Sequence, residues 1–131
     1  MKTADPKILS GKHAILVEDQ TLIALDTEML LRELGAAGVD TFTTTDSAIA
    51  WLASAAPDVG VLDINLGETS SFSVAGVLHR RSTPFIFTTG YDDGLTIPEA
   101  FVNVQIVRKP YTIEALGDAL AVSFDRGPAL P

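Results

Sequence analysis

The chain has 131 residues, 9 Lys and Arg against 17 Asp and Glu, and no Cys. This is the length of one ordinary domain and excludes a second; the missing Cys excludes a disulfide framework, and two histidines, His13 and His79, do not make a structural zinc site. A net charge of −8, with no basic run longer than Arg80-Arg81, argues against nucleic-acid binding, which relies on Lys and Arg at phosphates.

Residues 1–11 hold one Pro and one Gly and no apolar h-region, so they are expected to form a loose leader and not a secretory signal. No later stretch reaches the ~18–20 apolar residues of a membrane span, and a cytoplasmic location is expected. HAILV (13–17) is a short apolar run ending abruptly in Glu18-Asp19, which predicts a buried strand with acids at its carboxyl end. Residues 20–34 lack Gly and Pro and are rich in Leu, Ala and Glu, predicting a helix stopped by Gly35 or Gly38. Residues 39–43 predict a second strand, and Thr45 or Asp46 can cap a helix through Ile49, Trp51 and Leu52. VGVLD (59–63) repeats the pattern of an apolar strand ending in an acid; Ser70 or Ser71 can cap the helix through Val74, Val77 and Leu78. PFIFT (84–88) predicts a fourth strand leading into Thr89-Gly90. Gly94 and Pro98 leave residues 91–101 with a short or frayed helix, few apolar anchors and the low local stability of a switching segment. Residues 102–107 predict a fifth strand before Arg108-Lys109-Pro110, and Thr112 can cap a last helix with Ile113, Leu116, Leu120 and Phe124 on one stripe.

Continuous apolar strands alternating with helices predict a parallel sheet covered on both faces. The economical fold is (βα)5, a doubly wound five-stranded sheet of flavodoxin-like order 2-1-3-4-5, spanning residues 12–126 with a tail at 127–131. Such sheets bind ligands outside the carboxyl ends of their strands. There the first strand delivers Glu18 and Asp19, the third Asp63, the fourth Thr88 and Thr89, and the fifth Lys109. Three converging carboxylates repel one another, and a hard divalent cation such as Mg²⁺ relieves the repulsion. A Lys and a Thr beside them suit a tetrahedral oxyanion. The central carboxylate is placed to be a nucleophile toward a phosphoryl group.

The set VED (17–19), VLD (61–63), TTGY (88–91) and RKP (108–110) resembles the receiver domain of two-component response regulators. PFIFTTGY (84–91) is similar, more narrowly, to the single-domain subgroup with a PFxFATGY motif, the FAT GUY regulators, with Thr88 in place of Ala. The resemblance implies a phospho-acceptor that assists its own phosphorylation and dephosphorylation, with Asp63 receiving the phosphoryl group. It implies Mg²⁺ held by Asp19 directly, by Glu18 as acidic neighbour, by Asp63, and by the backbone carbonyl of Asn65. Thr89 is implied as the hydroxyl that follows the phosphoryl group, Lys109 as its cationic partner, and Pro110 as the site of a cis peptide. Two departures stand out. Ile106 occupies the position of the usual aromatic switch, and Gly67 replaces a Pro four residues after the acceptor. The switch is therefore expected in residues 90–101, with Tyr91 either a replacement aromatic gate or a surface ring.

On the first helix, Ile23, Thr27, Leu30, Leu31 and Leu34 share a core face, and Leu22, Leu25 and Met29 lie on the opposite flank. That flank either packs against the last helix or docks a partner helix; the resemblance implies docking on a histidine kinase. The expected protein is a monomer or weak dimer signalling to a downstream protein or phosphotransferase. A receiver cut from a hybrid kinase is the alternative, since Leu9 to Lys12 resembles such linkers. A Mg-dependent aspartyl phosphatase fits less well, because Asn65 stands where it needs a second acid. A flavin or nucleotide carrier lacks its glycine-rich loop.

Overall fold

Five apolar runs pair in one parallel sheet because each of the first four is followed by a segment that carries the chain back to the starting edge. In the computed structural model, which describes residues 5–66, 69–90 and 97–126, the elements run β1 (His13–Val17), α1 (Thr21–Glu33), β2 (Gly38–Phe42), α2 (Thr45–Leu52), β3 (Val59–Asp63), β4 (Asn65–Leu66), β5 (Thr69–Ser70), α3 (Phe72–Arg80), β6 (Phe85–Thr89), a 3₁₀ turn (Glu99–Phe101), β7 (Ile106–Arg108) and α4 (Ile113–Arg126). The sheet order is β2-β1-β3-β6-β7, all parallel. This is the expected 2-1-3-4-5 arrangement, with one small antiparallel hairpin, β4–β5, inserted after β3.

Strand alternation splits the core in two. Ala14, Leu16, Val59, Val61 and Ile86 face Leu31 and Leu34 from α1 and its end and Leu116 and Leu120 of α4. Ile15, Val17, Leu62, Phe85 and Phe87 face Ala48 and Leu52 of α2, and Val74 and Leu78 of α3. Gly60 permits the second packing: a Cβ there would stand 2.6 Å from Leu78 Cδ1. Gly35 ends α1 at φ +106°, its N–H donating to Arg32 O while the Ala36 N–H donates to Leu31 O, a Schellman arrangement.

Four expectations change. Residues 5–11 are not loose: Leu9 is fully buried in the core, its N–H donates to Leu34 O, and Lys7 Nζ reaches Glu33 O. Ile8-Leu9 is a two-residue apolar run between Lys7 and Ser10, too short to carry a periodic signal, so the sequence pattern concealed this anchor. The cap of α2 is Thr44, whose Oγ1 accepts the Ser47 N–H at 3.1 Å. Ser71 stands at the N-cap of α3, but its buried Oγ has no partner among the described residues. Finally, β7 is three residues long and starts at Ile106, because Val102 and Val104 are drawn into turns against Glu99 and Phe101. Gly67, Tyr91 and Gly94 lie outside the described residues; Phe101, just beyond, is buried among Phe72, Phe85, Phe87 and His79.

Candidate functional site

Each strand of the sheet centre ends in a polar side chain at the same edge. Glu18 directly follows β1 and is buried, and Asp19 beside it is exposed. Asp63 ends β3 and Thr89 ends β6, both buried. Lys109 follows β7, and its backbone N–H donates to Thr89 O at 2.8 Å. That bond places the Lys109 side chain over the carboxylates. Its Nζ lies 2.6 Å from Glu18 Oε1 and 3.0 Å from Asp63 Oδ2. The other Glu18 oxygen accepts the Gln20 N–H at 3.1 Å, and Asp63 Oδ1 accepts the Asn65 N–H at 3.3 Å. The Lys109–Pro110 peptide is cis.

Three carboxylates, from Glu18, Asp19 and Asp63, each bring one oxygen within 4.8 Å of the others. One ammonium against three acids leaves the cluster short of positive charge. Burial, and then the charge of Glu18, push the Asp63 carboxyl from 3.8 up to about 7, against the hydrogen bond and charge of Lys109. Burial works against the Lys109 charge too, but bonds to Glu18 and Asp63 outweigh it and hold the ammonium above its ordinary value. An all-oxygen set with unbalanced negative charge fits a hard divalent cation such as Mg²⁺. A cavity of about 390 Å³ opens beside Asp63, bounded by Gln20, Ile23, Asn65, Gly90 and Tyr111. Among the described residues, a Cβ on Gly90 would meet nothing within 4 Å.

The structure brings Glu18, Asp19, Asp63, Thr89 and Lys109 to one edge, as the strand-end argument requires, and Asn65, which the resemblance implied, lies beside them. Thr88 is buried in β6 opposite Asp63. The expected flank of α1 is exposed: Leu22 by 82%, Leu25 by 52% and Met29 by 67%. One contact near the site escaped sequence reasoning. The Tyr111 and Thr27 hydroxyls hydrogen-bond to each other, joining the loop after β7 to α1. Thr27 was legible as a core-face residue, but its partner is 84 positions away, beyond any local pattern.

Comparison with known proteins agrees with this architecture. The response regulator receiver domain family matches residues 14–121, and the chain belongs to that family. SdrG from Sphingomonas melonis Fr1 is similar at 32% identity, with 89% of this chain and 98% of that one covered and a TM-score of 0.73. A CheY-like receiver domain from Methylobacillus flagellatus shares the fold at 23% identity, with 87% and 99% covered and a TM-score of 0.74. So does the response regulator TrrA from Thermotoga maritima, solved in complex with Mg²⁺-BeF, at 22% identity, 86% and 98% covered, and a TM-score of 0.74. No curated protein matches the chain. No described helix is long and apolar enough to cross a membrane.

Proposed function

We propose that this receiver domain is a stand-alone response regulator of the PFxFATGY subgroup, phosphorylated on Asp63 by the phosphohistidine of a histidine kinase. The observation that supports this best is the placement of Asp63: buried, 3.0 Å from the Lys109 ammonium, and within the Glu18, Asp19 and Asp63 cluster. An Asp63 carboxylate oxygen attacks phosphorus, the P–N bond breaks, and the electron pair stays on the departing imidazole nitrogen, which takes up a proton. Lys109 offsets the negative charge brought by the phosphoryl oxygens. Thr89, at the end of the neighbouring strand, donates its hydroxyl to one of them. Asp19, Asp63 and the Asn65 carbonyl would hold Mg²⁺, with Glu18 as acidic neighbour. When bound, the ion supplies the positive charge that the three carboxylates lack.

The exposed apolar flank of α1, Leu22, Leu25 and Met29, is the surface for the kinase's helical bundle. The output goes to a protein partner or a phosphotransferase; the expected switch segment, 90–101, falls at 91–96 outside the described residues. Because Ile106 is half-exposed at the edge strand and has no ring to rotate, the signal leaves by backbone movement that starts at Thr89. The function is tested by incubating the full chain with the host's labelled histidine kinases and Mg²⁺. A hydroxylamine-sensitive acyl phosphate on Asp63 is expected; stable labelling elsewhere, or multiple turnover of a small phosphate ester, sinks the reading. Leu25→Asp is expected to slow transfer from the kinase while leaving uptake from a small acyl phosphate unchanged.

A further inference from the structure

The side chain of Lys109 has four rotatable carbons, so the position of its ammonium depends on how its backbone is held. One anchor is the Lys109 N–H to Thr89 O bond on the β6 side. On the other side the chain turns through Pro110, which has no N–H, into Tyr111. The same turn borders the cavity of about 390 Å³ beside Asp63, together with Ile23 and Gly90.

The Tyr111 ring rests against the core cluster of Leu31, Leu116 and Leu120, a contact that Phe would make equally well. Its hydroxyl goes further and meets Thr27 Oγ1 on α1. Thr27 is buried in the middle of that helix, where Ala or Leu would be the better helix former. Each hydroxyl would lack its partner if the other were removed, and burial makes that loss count. The pair joins the Lys109 loop to a helix that is itself fixed by its core face. The Tyr111 hydroxyl is also close enough to Lys109, Glu18 and Asp63 to feel all three charges, though burial dominates and raises its pKa.

We propose that Tyr111 is a positioning residue: by bonding Thr27, its hydroxyl holds the loop of Lys109 against α1 and so sets where the ammonium stands over Asp63. This rests on the role of Lys109 in the phosphoryl transfer proposed above. It predicts that loss of one hydroxyl acts through Lys109 and not through the fold.

The experiment uses the full chain, saturating Mg²⁺ and acetyl phosphate as donor, with thermal stability measured alongside. Tyr111→Phe is expected to slow Asp63 phosphorylation about fivefold and to weaken binding of Mg²⁺-beryllofluoride to a similar degree. Thr27→Val is expected to do the same, the double variant no more than either single one, and Thr27→Ser to return the rate toward the wild-type value. In a Lys109→Ala background, Tyr111→Phe is expected to have no further effect. A Tyr111→Phe variant that loses stability alone, or that slows phosphorylation equally with and without Lys109, overturns the proposal. If Lys109→Ala itself leaves phosphorylation unchanged, the functional reading falls instead.

Discussion

At the amino ends of the strands, Leu9 closes the core and four bonds tie the segments together: Leu9 N–H on Leu34 O, Ala37 N–H on Lys12 O, Asp58 N–H on His13 O, and His13 N–H on the Asp58 carboxylate. At the carboxyl ends, Glu18 and Asp63 are buried side by side with Lys109 as their shared cation. One end lowers the free energy of the fold by burying apolar surface and satisfying every bond it forms. The other end holds a carboxyl at a pKa of about 7, a state that works against stability and is kept by the rigidity of the surrounding sheet. Stability and function thus sit some five strand residues apart, and substitutions at the two ends should separate them.

The largest effect is expected from Asp63→Asn. Phosphorylation should disappear, while the metal-free protein should become more stable at pH 8. The sign follows from linkage: the folded pKa of about 7 lies above the ordinary 3.8, so the folded state binds more protons between these values and stability falls as pH rises through that window. Removing the charge removes that loss, on the order of 4 kcal/mol for the rise from 3.8 to about 7. Chemical denaturation at pH 5 and pH 8 without metal checks it. A variant less stable than the parent at pH 8 would break the contrast between the two ends.

Leu9→Ala is the counterpart. It opens a cavity in the α1 and α4 layer and should destabilise the domain by about 2–4 kcal/mol. The phosphorylation rate of the folded protein should stay within about twofold, since the length of β1 separates Leu9 from the far edge. If a truncation beginning at residue 12 leaves the melting temperature unchanged, the amino-end anchor is wrong.

Sequence alone reached the alternating elements, the sheet order and the six polar residues at the site edge. Strand ends are marked by a sharp change from apolar to acidic, as at Val17-Glu18 and Leu62-Asp63, and topology then places them together. It did not reach Leu9, because the pair Ile8-Leu9 is too short a run to show a period. It did not reach the β4–β5 hairpin, two residues a side, too short for alternation to show. It overextended β7 by four residues at its start, since Val102 and Val104 have strand propensity but only Phe87–Thr89 of β6 offer it partners. The burial of Glu18 was also not legible: the sequence presents Glu18 and Asp19 as a pair, and only the geometry shows that Lys109 takes one of them.

That asymmetry between the two acids gives the next effect. Both oxygens of Glu18 are engaged, by Lys109 and by the Gln20 N–H, whereas Asp19 is exposed at the edge of the cluster. Asp19→Asn should therefore weaken Mg²⁺ binding by about 10- to 100-fold, and Glu18→Gln by several-fold less. Titration with Mg²⁺, followed by the single tryptophan, Trp51, or by calorimetry, measures both. Equal losses would mean that the two acids share the ion.

The smallest effect expected is on the pH dependence of that binding. Asp63 must be ionised to act as a ligand, and in the metal-free protein it is so only above about pH 7. Apparent Mg²⁺ affinity should then rise about tenfold between pH 6 and pH 8 and level off, with close to one proton released per ion bound at the lower pH. The amino end offers no such contrast, because its bonds are chiefly between backbone groups. Glu18→Gln sharpens the test. Its charge is the second cause of the Asp63 shift, after burial, so the midpoint should move to lower pH without reaching 3.8. A midpoint that stays in place would assign the whole shift to burial, and one that falls to 3.8 would assign it to Glu18. A flat profile in the parent protein would show that Lys109 alone keeps Asp63 ionised, and that the carboxyl edge is no less settled than the end closed by Leu9.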